Sequence, residues 1–195
     1  MTRIAVFASG NGTNAENLIH NLTCGKVVLL LCNKPGAYVL ERARQLDIPS
    51  IIFSREELEN PDHENSLSST LKNYKIDFII LAGFLWKIPE HIVRQWPGKI
   101  LNIHPALLPK YGGSGMYGER VHKAVIQNGE KESGITIHIV DPQYDHGQII
   151  FQVTCPVDPF DTPETLAAKI HDLEQLHFPK VADRYISQTF KGRAV

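Results

Sequence analysis

Val27–Gly36 reads VVLLLCNKPG: an apolar run with no polar interruption, closed by a turn cluster. A strand with one wet face alternates polar and apolar residues. An unalternating run is instead buried on both faces, as parallel strands covered by helices are. Outward from this stretch the same two periods repeat. Upstream, Arg3–Ala8 is a short apolar run, followed by glycines and by Asn14–Leu22 with apolar residues at helical spacing. Downstream, Ala37–Leu46 reads as a helix, Ser50–Phe53 as a brief strand and Asp62–Tyr74 as a polar helix. Asp77–Ala82 is another buried strand, then comes a helix near Glu90–Gln95 and a fifth strand at Lys99–Ile103.

The later chain changes character. Gly134–Val140 and Gly147–Val157 read as two longer strands joined by the turn Asp141–His146, and Thr162–Ile186 as a final helix with Thr162 as N-cap and Pro163 in its first turn. The fold class expected is therefore α/β: a Rossmann-like, doubly wound, mainly parallel sheet, extended by a C-terminal antiparallel hairpin-like addition and a final helix. In such sheets ligands sit beyond the carboxyl ends of the strands.

The composition sets bounds. A chain of 195 residues fits one domain and buries roughly 70% of its unfolded surface, so it needs neither disulfides nor metal to fold. A formal net charge of −1 gives no electrostatic case for nucleic acid or an anionic membrane. The three cysteines, Cys24, Cys32 and Cys155, are widely spaced without a C-x-x-C pair, against a disulfide framework or a structural zinc. No signal peptide and no apolar run long enough for a bilayer is visible, and the cytoplasm is the expected location.

FASGNGTNAENL, at 7–18, follows the first strand and opens the first helix. Gly10, Gly12 and Ala15 satisfy G-x-G-x-x-[GA]. A dinucleotide site also needs a carboxylate at the end of the second strand, and that strand ends Cys32-Asn33-Lys34. There is no G-K-[ST] either. What remains is a helix start open to one phosphate monoester, with Thr13 and Asn14 as added donors; a plain tight turn with Asn14 as N-cap serves the same residues.

LNIHPALLPK, at 101–110, holds the second candidate. Residues two apart in an extended segment share a side, so Asn102 and His104 project together from the fifth strand's end. Pro105 keeps His104 extended. The turn DPQYDHG offers Asp141 and Asp145, and an aspartate beside His104 raises its pKa towards neutrality. His, Asp and Asn together suit acyl-type transfer by direct attack: Asn holds an oxyanion and His handles protons. G-x-S-x-G is absent. His138, alternating with isoleucines, reads as a strand residue that selects a face. A metal held by His104, His122, His146 and Asp145 stays open, without H-x-H or H-x-x-x-H spacing to support it.

In order and spacing, SGNGTN at 9–14, CNKPGAYVLERARQLDI at 32–48, LAGFLWKIP at 81–89, LNIHPALLPKYGG at 101–113, GITIHIVDPQYDHGQIIFQ at 134–152 and LEQLHFP at 173–179 resemble the phosphoribosylglycinamide formyltransferase family, folate-dependent enzymes of purine synthesis. The resemblance implies a single formyltransferase domain over 1–195, with a phosphate-binding half at 1–100 and a catalytic and folate-binding half at 101–195. It implies transfer of a formyl group from 10-formyltetrahydrofolate, as cosubstrate and without metal, to the amine of glycinamide ribonucleotide. The residues implied as catalytic are Asn102, His104 and Asp145. Gly12, Thr13, Asn14, His171 and Glu174 are implied for the ribonucleotide, with Glu174 receiving its amino group. Leu85, Trp86, Lys87, Ile88, Asn102, Val140, Asp141 and Tyr144 are implied for the folate. Small-molecule partners only are expected, for a monomer or homodimer. A formyltetrahydrofolate hydrolase-like enzyme and a non-catalytic sugar-phosphate module are the alternatives. Three departures stand out, one being that the basic residue some members place against the folate tail has no counterpart. Phe84-Leu85-Trp86-Lys87 replaces the frequent Phe-Met-Arg-Ile, and GGSGMYGERVH at 112–122 is glycine-rich and longer than in some members, leaving the role of His122 open.

Overall fold

The computed structural model describes residues 1–191. Five parallel strands, β1 (Thr2–Ala8), β2 (Gly25–Cys32), β3 (Ser50–Ile52), β4 (Phe78–Leu81) and β5 (Ile100–His104), form most of one sheet. β6 (Glu132–Ile139) joins antiparallel to β5, and β7 (Ile149–Pro156) antiparallel to β6, giving the order β3-β2-β1-β4-β5-β6-β7. β1 lies between β2 and β4, so the direction of winding reverses there. That reversal opens a crevice beyond the strands' carboxyl ends.

The unalternating runs are double-faced cores. Ile4, Val6, Ala8, Leu30, Cys32, Phe78 and Ile80 face one cluster, with α1 (Thr13–Asn21), α2 (Tyr38–Gln45), α6 (Glu119–Gln127) and α7 (Pro163–Lys191) packed over them. Their neighbours Ala5, Phe7, Leu29, Leu31, Ile79 and Leu81 face the other, under α3 (Arg55–Glu59), α4 (Leu67–Asn73) and α5 (Glu90–Gln95). A period of two with both phases apolar is what burial on both sides requires.

The differences from the sequence expectation have local causes. The helix expected at 62–74 is shorter, because Ser66 caps it by accepting from the Ser69 N–H. α3 precedes it, held by a capping box in which the Ser54 side chain accepts from the Glu57 N–H and the Glu57 carboxylate accepts from the Ser54 N–H. α6 was not expected at all. Asn14 is not the N-cap of α1; that place is taken by Gly12 in the left-handed region. Thr162 does cap α7, exchanging hydrogen bonds with Thr165.

Candidate active site

Asn102 and His104 leave β5 on one side of the chain and line the same cavity, about 810 Å³ in volume, at the carboxyl edge of the sheet. That volume is ample for a drug-sized ligand. His104 is almost wholly buried, and its Nε2–H donates to the Tyr111 carbonyl oxygen at 2.7 Å. A carbonyl only accepts, so the proton sits on Nε2 and Nδ1 offers its lone pair. Nδ1 faces Asp145 Oδ2 at 3.6 Å, and the same oxygen accepts from the Gly113 N–H at 3.0 Å. Asp145 reaches this position from a left-handed backbone conformation (φ 50°), which aspartate tolerates better than most residues.

Asn102 is oriented from the neighbouring strand. β5 and β6 pair with Asn102 opposite His138. The His138 Nδ1–H donates to the Ile139 carbonyl at 3.0 Å, so its Nε2 accepts from the Asn102 amide nitrogen, also at 3.0 Å. One amide hydrogen is thereby committed and the other is left for a ligand. His138 Nε2 is 3.7 Å from Asp145 Oδ1, beyond hydrogen-bond reach. His138 is therefore no mere face-selecting residue; it orients the Asn102 amide.

The electrostatics correct one expectation. Burial pushes His104 below its ordinary value of 6.5, and Asp145 and the Tyr111 carbonyl push it up without prevailing. The resting ring is neutral at pH 7, with its empty Nδ1 aimed at a carboxylate that stabilises a proton arriving there. Burial also pushes Asp145 up, but His138, His104 and the Gly113 N–H together hold it below the usual carboxylate range. Asp145 thus stays charged. Asp141, the other candidate of the turn, is engaged elsewhere: it accepts from the Gln143 N–H and from His146 Nδ1.

Gly10 and Asn14 bring the glycine loop and the start of α1 to the same cavity. Gly12 takes φ 84°, and a Cβ there would lie 2.3 Å from Val39 Cγ2, so the loop lies directly against α2. Arg42 of α2 braces it, donating through Nε to the Asn11 carbonyl at 2.9 Å and through Nη2 to Asn11 Oδ1 at 2.8 Å, with an ion pair to Glu16. Asn14 is bound to α7, donating to Glu174 Oε2 and accepting from Gln175 Nε2, both at 2.8 Å. His171 Nδ1 stands 3.6 Å from Glu174, whose carboxylate pushes the His171 pKa up. Lys34 lines the cavity just past β2, presenting a cation where a dinucleotide enzyme carries its ribose carboxylate.

Asn14, Leu85, Trp86, Tyr144, His171 and Glu174 line the cavity, with Asn102, His104 and Asp145. Other expected residues do not. Gly12 and Thr13 sit behind the lining, at the helix start. Ile88 is buried in the second core cluster, and Val140 packs against that cluster. Lys87 stacks over the Tyr144 ring at 5.8 Å instead of facing inward. Four contributors escaped the sequence reading. Ser9 and Lys34 lie in segments read as turns, and Arg55, stacked 5.0 Å over Trp86, lies between the elements expected at 50–53 and 62–74. His138 is visible only through its cross-strand register with Asn102. No cluster of three metal-ligating side chains occurs among the described residues, and no helix among them is long and apolar enough to cross a membrane.

A mainly parallel α/β sheet with an Asn–His–Asp group at its carboxyl edge, on the same cavity as a braced glycine loop, is an arrangement suited to group transfer. The formyl transferase family model matches residues 2–182, and the chain belongs to that family: it is an enzyme that transfers formyl groups. More narrowly, it is similar to proteins named phosphoribosylglycinamide formyltransferase. It is 36% identical to the Bacillus subtilis protein, covering 98% of each chain, and 40% identical to the chloroplastic protein of Arabidopsis thaliana, covering 98% of this chain and 68% of that one. It is 38% identical to the trifunctional purine biosynthetic protein adenosine-3 of Drosophila melanogaster, covering 96% of this chain but 14% of that protein. The crystal structure of the Bacillus halodurans phosphoribosylglycinamide formyltransferase superposes with a TM-score of 0.85 at 35% identity, over 96% of this chain and 97% of that one.

Proposed function

We propose that this chain transfers the formyl group of 10-formyltetrahydrofolate to the primary amine of glycinamide ribonucleotide. The observation that carries the reading is the convergence of Asn102, His104 and Asp145 on one cavity that Gly10 of the glycine loop and Asn14 of the first turn of α1 also line. A reacting centre at one end and an anion-binding helix start at the other suit an acceptor with an amine and a phosphate at its two ends. Lys34 adds a cation at the phosphate end. Leu85, Trp86 and Tyr144 offer flat and apolar surface for the pterin, while Glu174 and His171 hold the acceptor. One domain suffices: residues 1–100 supply the phosphate loop, and the reacting groups come from 101 onward.

The amine attacks the formyl carbon, the new C–N bond forms, and the carbonyl π pair moves onto oxygen. The free amide hydrogen of Asn102 meets that oxyanion. The excess proton of the amine passes to His104 Nδ1, where Asp145 stabilises the imidazolium. It is then delivered to the folate nitrogen as the C–N bond to the folate breaks, leaving the formylated ribonucleotide and tetrahydrofolate. An assay of formyl transfer with both substrates, run beside a reaction without acceptor, tests this. Acceptor-dependent product is expected; formate release without acceptor identifies a hydrolase instead.

A further inference from the structure

Resting on that reading, we infer that His122 is a substrate-contacting residue that hydrogen-bonds a hydroxyl of the acceptor's sugar. His122 lies on α6 just past the glycine-rich loop; its ring lines the cavity although the residue is only 6% exposed. Its Nδ1 is completely buried and has no hydrogen-bond partner. An unpaired buried polar atom is destabilising, and each one in a folded chain calls for a reason. Helix packing gives none, because Val121 and Val125 already seat α6 in the core. Nε2 makes no hydrogen bond and is not among the sealed atoms, so this edge of the ring is the one that meets the cavity.

The place of His122 names its partner. Glu174 and then Glu119 act on it electrostatically, followed by His104. The ring lines the same cavity as Gly10 and Asn14 at the phosphate loop, as Glu174, which is tied to Asn14, and as the reacting pair Asn102 and His104. With the phosphate on the loop and the amine at Asn102 and His104, the same cavity holds the sugar. Burial keeps the ring neutral at pH 7. With Nδ1 sealed, the neutral ring offers one nitrogen, Nε2, as donor or acceptor, and a hydroxyl can meet it in either role, whereas a phosphate calls for a cation.

The test uses His122→Phe and His122→Asn in the full chain. It measures separate KM values for glycinamide ribonucleotide and 10-formyltetrahydrofolate, kcat and thermal melting, with 2′-deoxy and 3′-deoxy acceptors in parallel. One neutral hydrogen bond corresponds to about a tenfold rise in acceptor KM. The folate KM stays unchanged, kcat stays within a few-fold, and the melting temperature of His122→Phe does not fall. With one of the deoxy acceptors the wild type loses the same factor and His122→Phe loses nothing further. An unchanged acceptor KM beside a lowered melting temperature overturns the contact while leaving the proposed function standing, as does a kcat effect without a KM effect. If the wild-type chain formylates no ribonucleotide, the contact and the function fall together.

Discussion

Replacing His138 by Phe removes the acceptor that orients Asn102. The Asn102 amide nitrogen lies 3.0 Å from His138 Nε2, and the His138 ring is 2% exposed, so water does not replace it. The direct loss is one neutral hydrogen bond, about 0.5–1.5 kcal/mol net, with about 1–3 kcal/mol more if the amide hydrogen is left unpaired in a dry site. Part of this is expressed only when the oxyanion forms, because a free amide turns away from it. A kcat reduction of about 10- to 100-fold follows, equivalent to about 1.4–2.7 kcal/mol, with both KM values within a few-fold. Asp145 is still held charged by His104 and the Gly113 N–H when His138 is gone, so His138 acts chiefly through Asn102 and its effect should largely vanish once Asn102 is gone. Asn102→Ala alone is expected to cost about 10²–10³, and adding His138→Phe to it should change kcat by less than about twofold. Steady-state formyl transfer by the four proteins of this double-mutant cycle gives the coupling directly. Additive losses, or an unaffected His138→Phe enzyme, refute the positioning of Asn102 by His138.

Gly12→Val places a side chain where Val39 already sits and on a φ of 84°. It should cost about 1–3 kcal/mol of stability and raise the acceptor KM at least about tenfold; unchanged binding of the ribonucleotide contradicts the phosphate assignment. Because burial depresses His104 and His122 below 6.5 in the folded chain, the unfolded chain takes up protons first as pH falls. Their contribution to stability is complete above pH 6.5 and is lost as pH falls towards the folded values. Melting scans from about pH 7.5 to about 5 should show this decline, with a shallower slope for His104→Phe. Asp145→Asn removes a group that pushes His104 up, so the acid limb of kcat/KM should move to lower pH; movement the other way contradicts the electrostatic account.

The sheet was legible because β1, β2 and β4 are apolar in both phases, a pattern with few other uses. α6 was not. Its start is a glycine-rich stretch without a capping side chain, although Val121, Ala124 and Val125 do hold the helical spacing. Asn102 and His104 could be paired from strand geometry alone, and Asp145 only by resemblance, since Asp141 shares its turn. Two features lay beyond any local pattern. The His104 proton is held by a backbone carbonyl, that of Tyr111, which sequence does not mark. The net fall in the His104 pKa depends on how completely the surrounding chain excludes water, and this outweighs the aspartate that sequence reasoning could supply.

The central claim is that Asn102 and His104, at the end of β5, carry formyl transfer to a ribonucleotide amine. Its most direct test is the rate of acceptor-dependent formyl transfer by His104→Ala against wild type at saturating concentrations of both substrates. The account predicts a fall of about 10²–10⁴ in kcat, with the ribonucleotide still bound. A His104→Ala enzyme that transfers formyl at close to the wild-type rate would contradict it.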